Sequence, residues 1–462
     1  MTPGRSWCAA CIVLSLLAAA PASAQSTRRP DLNPFGRGFR DASQSLSVNG
    51  NLGATFYDVI ERQTVRQDGQ EIPDRGWGSF ASASLGYRLS FPSVSFEGSV
   101  GVVGSYYPQI GPTVRTQVLP GAGARFGWSW DLTDRTQLSL GSGVSYRPAY
   151  AESLLTGGVG GGRGGGQSGR DPGSAFLPPE SLFVGGSYLS SANDAALRHQ
   201  LSRRWSATAD YGYQHSFAFG GSDETDGGTR FRRRDGWTQR GGTALHFAVT
   251  RNLSVRGGYR YSESHFGDDG EVFRRHSADI GVNFGDRASL QLTRQTTLSF
   301  GGGVSGFVSQ QGRQRYRLTG DVALTHEIGR TWSSSLAYSR GVSTDELLFE
   351  EPVLRDTLTA SLNGLVSRRV GFHATARASH GAVGFLDRDS SHTSIVASTG
   401  LQTALTQHVA VSVDYAYYQY RFDDDLARPA GLSDRSASQG VHAYLSLWAP
   451  IFQSRGRMNA SR

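Results

Sequence analysis

Charged side chains recur in this sequence at alternate positions of segments whose other positions are apolar, a spacing that could line a water-filled wall and select ions by charge. The arginines in that phase are Arg88, Arg125, Arg147, Arg240, Arg256, Arg260, Arg317, Arg355 and Arg377. The carboxylates that share it are Glu97, Asp131, Asp210, Asp279, Asp321 and Asp414. The positive excess predicts a lining that favours anions. For each arginine the alternative is an ion pair across strands that only braces the wall.

Catalytic chemistry has less to stand on. His246, His373 and His442 fall in the polar phase, but no matching motif lies near them, no G-x-S-x-G occurs, and no His or carboxylate cluster has metal-ligand spacing. The expectation is a non-enzymatic chain with no cofactor and no metal. The glycine tract Thr156 to Gly169, "TGGVGGGRGGGQSG", admits a phosphate-loop match, yet no strand-to-helix context and no Gly-Lys-Ser/Thr accompany it. A mobile external loop accounts for it better, and one that folds inward would constrict a pore.

The elements that must position the charges are strands. From Asn252 to Phe266, Leu253, Val255, Tyr259 and Tyr261 fall on one face, with Ser254, Arg256, Arg260 and Ser262 on the other. The same split separates Val409, Val411, Val413, Tyr415 and Tyr417 from Ser412 and Asp414, and Leu138, Leu140, Val144 and Tyr146 from Gln137, Ser139 and Ser145. A helix would mix these sets. Short polar turns, as in "LTDRTQLSL", "LSRRWSATA", "LTRQTTLSF", "LVSRRVGFH" and "LTQHVAVSV", alternate with longer polar loops. That alternation predicts an all-β, transmembrane antiparallel up-and-down β-barrel with short turns on the periplasmic rim. About eighteen strands fit between Ser45 and Pro450, within a range of about sixteen to twenty. Two segments alternate poorly: Val184 to Leu201, which contains "SSANDAAL", and His276 to Leu292, interrupted at Gly285-Asp286-Arg287.

Composition agrees. The apolar stretch from Trp7 to Ala20 and the Ala22-Ser23-Ala24 sequence have the layout of a secretory signal peptide, cleaved after Ala24. Both cysteines, Cys8 and Cys11, lie within it, so the mature chain has no disulfide. The predicted organisation is a signal peptide over 1–24, a periplasmic lead-in over 25–44, a barrel over 45–452 and an overhang over 453–462. With 60 glycines and 38% hydrophobic residues the chain is poor in helix formers and short of material for a conventional core. A barrel needs neither, because lipid covers its outer face. The net charge of +7 is carried by arginine without any basic block interleaved with aromatics, which argues against nucleic acid as a partner.

Aromatic residues gather near strand ends, where amphipathic rings prefer the headgroup level. The candidates for two girdles are Trp128, Trp130, Tyr146, Trp205, Tyr211, Tyr213, Tyr259, Tyr261, Trp332, Tyr338, Tyr415 and Tyr417, with Trp448 near the last strand's end. Tyr418 and Tyr420 take the opposite phase, where they could stack on sugars.

The recurring unit in "LSRRWSATADYGY", "VTRNLSVRGGYRY" and "LTQHVAVSVDYAYY" resembles outer-membrane β-barrel porins often associated with exopolysaccharide loci. The resemblance covers most of Ser45 to Phe452 and implies an outer-membrane location and a role with secreted polysaccharide. It carries over no functional residues. Such barrels often end on an aromatic residue read by the barrel-assembly machinery, whereas Phe452 here is followed by "QSRGRMNASR". The expected partners are outer-membrane lipid, that machinery, and small solutes or secreted polysaccharide. The leading functional expectation is a passive channel for small hydrophilic, anionic solutes, with polysaccharide export or surface attachment as the alternative.

Overall fold

The computed structural model describes residues 35, 43–62, 75–91, 93–106, 108, 118–150 short of its last residue, 185–219, 236–250, 254–266, 271–283, 290–308, 314–343, 353–383, 390–423 and 434–454. The signal-peptide segment, most of the lead-in and the glycine tract 156–169 lie outside the described residues. The strands are β1 (Gln44–Arg62), β2 (Arg75–Ser90), β3 (Val94–Tyr106), β4 (Val118–Thr133), β5 (Thr136–Ala149), β6 (Gly185–Gln200), β7 (Trp205–Phe219), β8 (Gly236–Ala248), β9 (Ser254–Phe266) and β10 (Glu271–Asn283). They continue as β11 (Leu290–Gln291), β12 (Thr296–Val308), β13 (Gln314–Ile328), β14 (Trp332–Ser343), β15 (Val353–Leu365), β16 (Val370–Val383), β17 (Ser390–Ala404), β18 (Val409–Phe422) and β19 (Arg435–Ser454).

Apart from β10 and β11, each strand pairs antiparallel with the next, and β1 closes on β19, with Gln44 opposite Ser454 and Ser43 N donating to Ser454 O at 3.1 Å. β10 pairs directly with β12, and the two-residue β11 resumes the same ladder on β12 from Leu290 opposite Leu298, so β10 and β11 occupy one place in a closed ring of eighteen strands. Closure leaves no unpaired edge, which a bilayer requires because nothing in its core can satisfy a free N–H or C=O. Boundaries differ slightly from those read in the sequence. The poorly alternating segment His276 to Leu292 breaks after Asn283 and resumes as β11, with 284–289 outside the described residues, and Gln44, Gln453 and Ser454 belong to the wall. Pro450 and Pro148 sit where the register slips, since proline has no N–H to give the ladder.

Alternation decides which face is which. Arg275 of β10 donates to the carbonyl of Val342 on β14, three neighbours away round the ring, a contact that only the inside of the barrel permits. Its phase is therefore inward. The opposite phase carries the exposed apolar side chains, among them Leu52, Ile280 and Leu318, the last 72% exposed. Such surface would be untenable in water and is at home in lipid. Within the doubtful segment Val184 to Leu201, Gly185–Gln200 forms β6, paired without a slip along β7 but with one slip on β5 near its start. Its outward Asn193 breaks the apolar pattern, and Ser142 of β5 answers it by donating a 2.8 Å hydrogen bond to Asn193 Oδ1.

One rim has short turns built to one plan. Thr133, Ser202, Thr293, Ser367 and Thr406 each turn a side-chain oxygen onto the backbone N–H two residues on, at 3.0 to 3.3 Å. The carbonyl at that second position, on Arg135, Arg204, Gln295, Arg369 and His408, accepts from the next hairpin at 2.8 Å in every case. The turn after β13 is different, with Gly329 in the left-handed region at φ 60.

Candidate functional site

The inward wall holds the charges, and glycine determines how they meet. On one strand a residue's nearest inward neighbours lie across the ladder, so two charged side chains on next-but-one strands are normally separated by the side chain between them. Here that side chain is repeatedly missing. Asp210 of β7 faces Gly242 of β8, which faces Arg260 of β9, and the two charges come to 3.8 Å across the glycine. His373 of β16 and Asp414 of β18 both face Gly400 of β17 and stand 3.3 Å apart. Asp194, Gly212 and Arg240 share a third row, in which Arg240 Nε lies 2.6 Å from where a Cβ on Gly212 would be while Asp194 turns the other way, over Gly141 of β5. Arg355, Gly381 and His392 form a fourth. Charged side chains thus lie down along the wall over glycine instead of standing into the lumen.

Every sequence-predicted lining residue occupies an inward register position, apart from Arg147, whose side chain lies outside the described residues. Direct neighbours pair as well: Arg88 with Glu97 at 3.2 Å and Arg256 with Asp279 at 2.6 Å. Asp131 accepts from Gln137 at 2.9 Å. Among the described residues Arg125, Arg240 and Asp321 have no ion pair within 4 Å, while Arg317, Arg355 and Arg377 have further partners. The same phase adds Arg198, Arg275, Arg315, Asp194 and Glu327, which sequence reasoning passed over. Alternation within β6, β10 and β13 was the signal that could have found them.

Exposure around the ring is uneven. Glu97 is 61% exposed and Arg88 half exposed, and Arg125, Asp131, Arg240 and Asp321 are open to solvent as well. Three strands from β2 round the ring, every inward residue of β18 from Ala410 to Phe422 is buried, with Asp414 at 1%. Thr55 and Tyr57 of β1, and Ser436, Ser438 and His442 of β19, continue that shielded sector. Tyr418 and Tyr420 belong to it at 2% exposure each, so neither offers its ring to an open lumen for sugar stacking.

On the outward face, Trp128, Trp130, Trp205 and Trp332 lie toward the short turns. Tyr146, Tyr211, Tyr213, Tyr259, Tyr261, Tyr338, Tyr415 and Tyr417 share that face further along their strands, toward the long loops. Trp448 does not join them, because its register with Asn49 turns it inward, where it stacks on His408 at 5.6 Å. Two ion pairs are also outward near the long loops, Arg75 with Asp58 at 2.6 Å and Arg340 with Asp356 at 3.5 Å. Among the described residues no three His, Cys, Asp or Glu side chains are grouped to hold a metal.

No family model and no curated protein matches the chain. Solved structures similar to it include OpdQ of Pseudomonas aeruginosa, with a TM-score of 0.42 and 9% identity over 88% of this chain and 98% of that one. OccK11 (OpdR) of the same organism gives 0.41 and 12% over 91% and 99%. The siderophore receptor PirA of Acinetobacter baumannii gives 0.43 and 8% over 88% and 81%. A closed barrel, apolar outside and polar within, is the architecture of outer-membrane proteins of Gram-negative bacteria.

Proposed function

We propose that the barrel is a passive channel for small hydrophilic solutes, with a bias toward anions. The observation that carries this is the inward face from β2 to β8, where Arg88, Arg125 and Arg240 meet solvent together with Glu97 and Asp131. Barrels of sixteen to eighteen strands are wide enough to leave an aqueous passage. The glycine rows favour the same reading, because charges laid flat on the wall line a passage without filling it. Several pairs cancel, so the anion bias comes from the arginines without acidic partners and is modest.

The conducting side is the exposed sector, and the shielded wall from β17 through β19 to β1 acts as its backing. Both termini and the short turns belong to the periplasmic rim in this reading, with the long loops outside the cell. Planar-bilayer recording of the mature chain tests it. Stable open steps are expected, with a reversal potential in a salt gradient that shows mild anion preference. A silent barrel would refute the channel, and clear cation preference would refute the charge argument.

A further inference from the structure

The short-turn rim carries a ring of arginines that the fold does not require. Arg135, Arg204 and Arg369 give the turns only their backbone N–H and carbonyl, services that Gln295 and His408 perform equally in the sister turns. Arg203, Arg294, Arg330 and Arg368 are exposed beside them. Among the described residues none of these guanidinium groups has an ion-pair partner, and the turns themselves contribute one carboxylate, Asp134. Glu327 and Asp131 are nearby but face inward from their strands.

What the ring faces follows from its flank. Outward Trp205 comes two residues after Arg203, Trp332 two after Arg330, and Phe372 four after Arg368, so these arginines extend the outward phase, whereas Arg204 and Arg369 continue the inward one opposite Ala248 and Ala404. With a rise of about 3.3 Å per residue and strands tilted by about 40°, the outward arginines stand within roughly 10 Å of depth of rings that prefer the headgroup level. A guanidinium at that depth meets phosphate, which it binds through paired N–H donors.

We propose that this rim is a binding surface for the phosphates of anionic phospholipids in the adjoining leaflet, which holds the barrel at a fixed depth and marks that leaflet as the phospholipid one. The proposal stands whether or not the barrel conducts.

The full mature chain, reconstituted in vesicles, reports lipid contact through quenching of tryptophan fluorescence by brominated lipids. Brominated phosphatidylglycerol should be preferred over brominated phosphatidylcholine, on the order of fivefold per phosphate contact, and 0.5 M salt, on the order of ten times the low-salt buffer, should erase most of the preference. Arg203→Gln, Arg294→Gln, Arg330→Gln and Arg368→Gln together remove the outward-phase guanidinium groups, keep every backbone bond of the turns and should bring the ratio near unity. Arg75→Gln with Arg421→Gln, at the other rim, should leave it unchanged. Equal binding of the two lipids by the wild type, or a preference that survives the fourfold variant, would overturn the proposal. If that variant does not fold, the salt dependence of the wild type and phosphatidylglycerol retained in native mass spectrometry decide the matter. Displacement of phosphatidylglycerol by a soluble acidic polysaccharide at matched charge would overturn the lipid assignment in favour of a polymer-binding rim.

Discussion

Gly400→Ala is the sharpest test of the glycine rows. A Cβ there would collide with the Asp414 carboxylate and come to 2.6 Å from His373 Cε1, far inside ordinary contact distance. Asp414 is 1% exposed and held between β17 and β19, so it has little room to retreat. Overpacking of this kind costs about 1 to 3 kcal/mol, and parting the buried carboxylate from His373 adds about 1 to 3 more. Replacing a strand glycine by alanine returns about 0.5 to 1 kcal/mol through the unfolded chain. The net loss should be about 3 kcal/mol, read as a lower urea midpoint for unfolding from lipid vesicles. Gly341→Ala is the control, because nothing lies within 4 Å of its Cβ position and no loss is expected. In an Asp414→Ala background the nearer obstacle is gone and only the His373 ring has to shift, so Gly400→Ala should cost less by more than about 1 kcal/mol, a coupling well above the additivity of independent sites. If Gly400→Ala is as stable as the wild type, or costs the same in both backgrounds, the account of these rows is wrong.

Charge reversal should be local. Arg125→Glu with Arg240→Glu should move the reversal potential toward cations, Asp321→Asn should move it the other way, and Ser412→Ala in the shielded sector should leave single-channel conductance unchanged. Trp205→Ala removes a headgroup-level ring in contact with Phe247 at 4.6 Å and should lower stability by about 1 to 2 kcal/mol, measured by the same urea titration. Asp423, just beyond β18, accepts from Ser391 Oγ at 2.6 Å and Ser391 N at 2.9 Å, and the hydroxyl bond above all lowers its pKa below the ordinary carboxylate value. Its contribution is therefore present above about pH 4 and fades as pH falls through the lowered value. Protection of the Ser391 amide from hydrogen exchange should decline over that interval, and Asp423→Asn should abolish the pH dependence.

Much of the wall was legible because alternation is a local property. Val409 to Tyr417 announce β18 by themselves, and the turn serines and threonines announce the hairpins. Pairings across distant strands were not legible. Asn193 looks like a fault in its strand until Ser142, fifty-one residues earlier, is placed beside it. His373 shares no motif with Asp414, and only the register of β17 shows that a glycine between them lets them meet. Trp448 was misplaced because the slip at Pro450 offsets the phase near the end of β19. The shielding of one sector is a property of the assembled ring, and no single strand carries a sign of it.

The seam between Gln44 and Ser454 has a kinetic consequence. Hairpins such as β17 and β18 can zip within a few residues of a turn, but the partner of β1 is the last described strand, β19. Until that strand arrives, the sheet is an open ribbon with two bare edges, each able to recruit a stranger. Ring closure joins segments at opposite ends of the polypeptide and bears the largest loop entropy in the fold. Loss of the final strand should therefore leave a sticky, unclosed ribbon and not a narrower barrel.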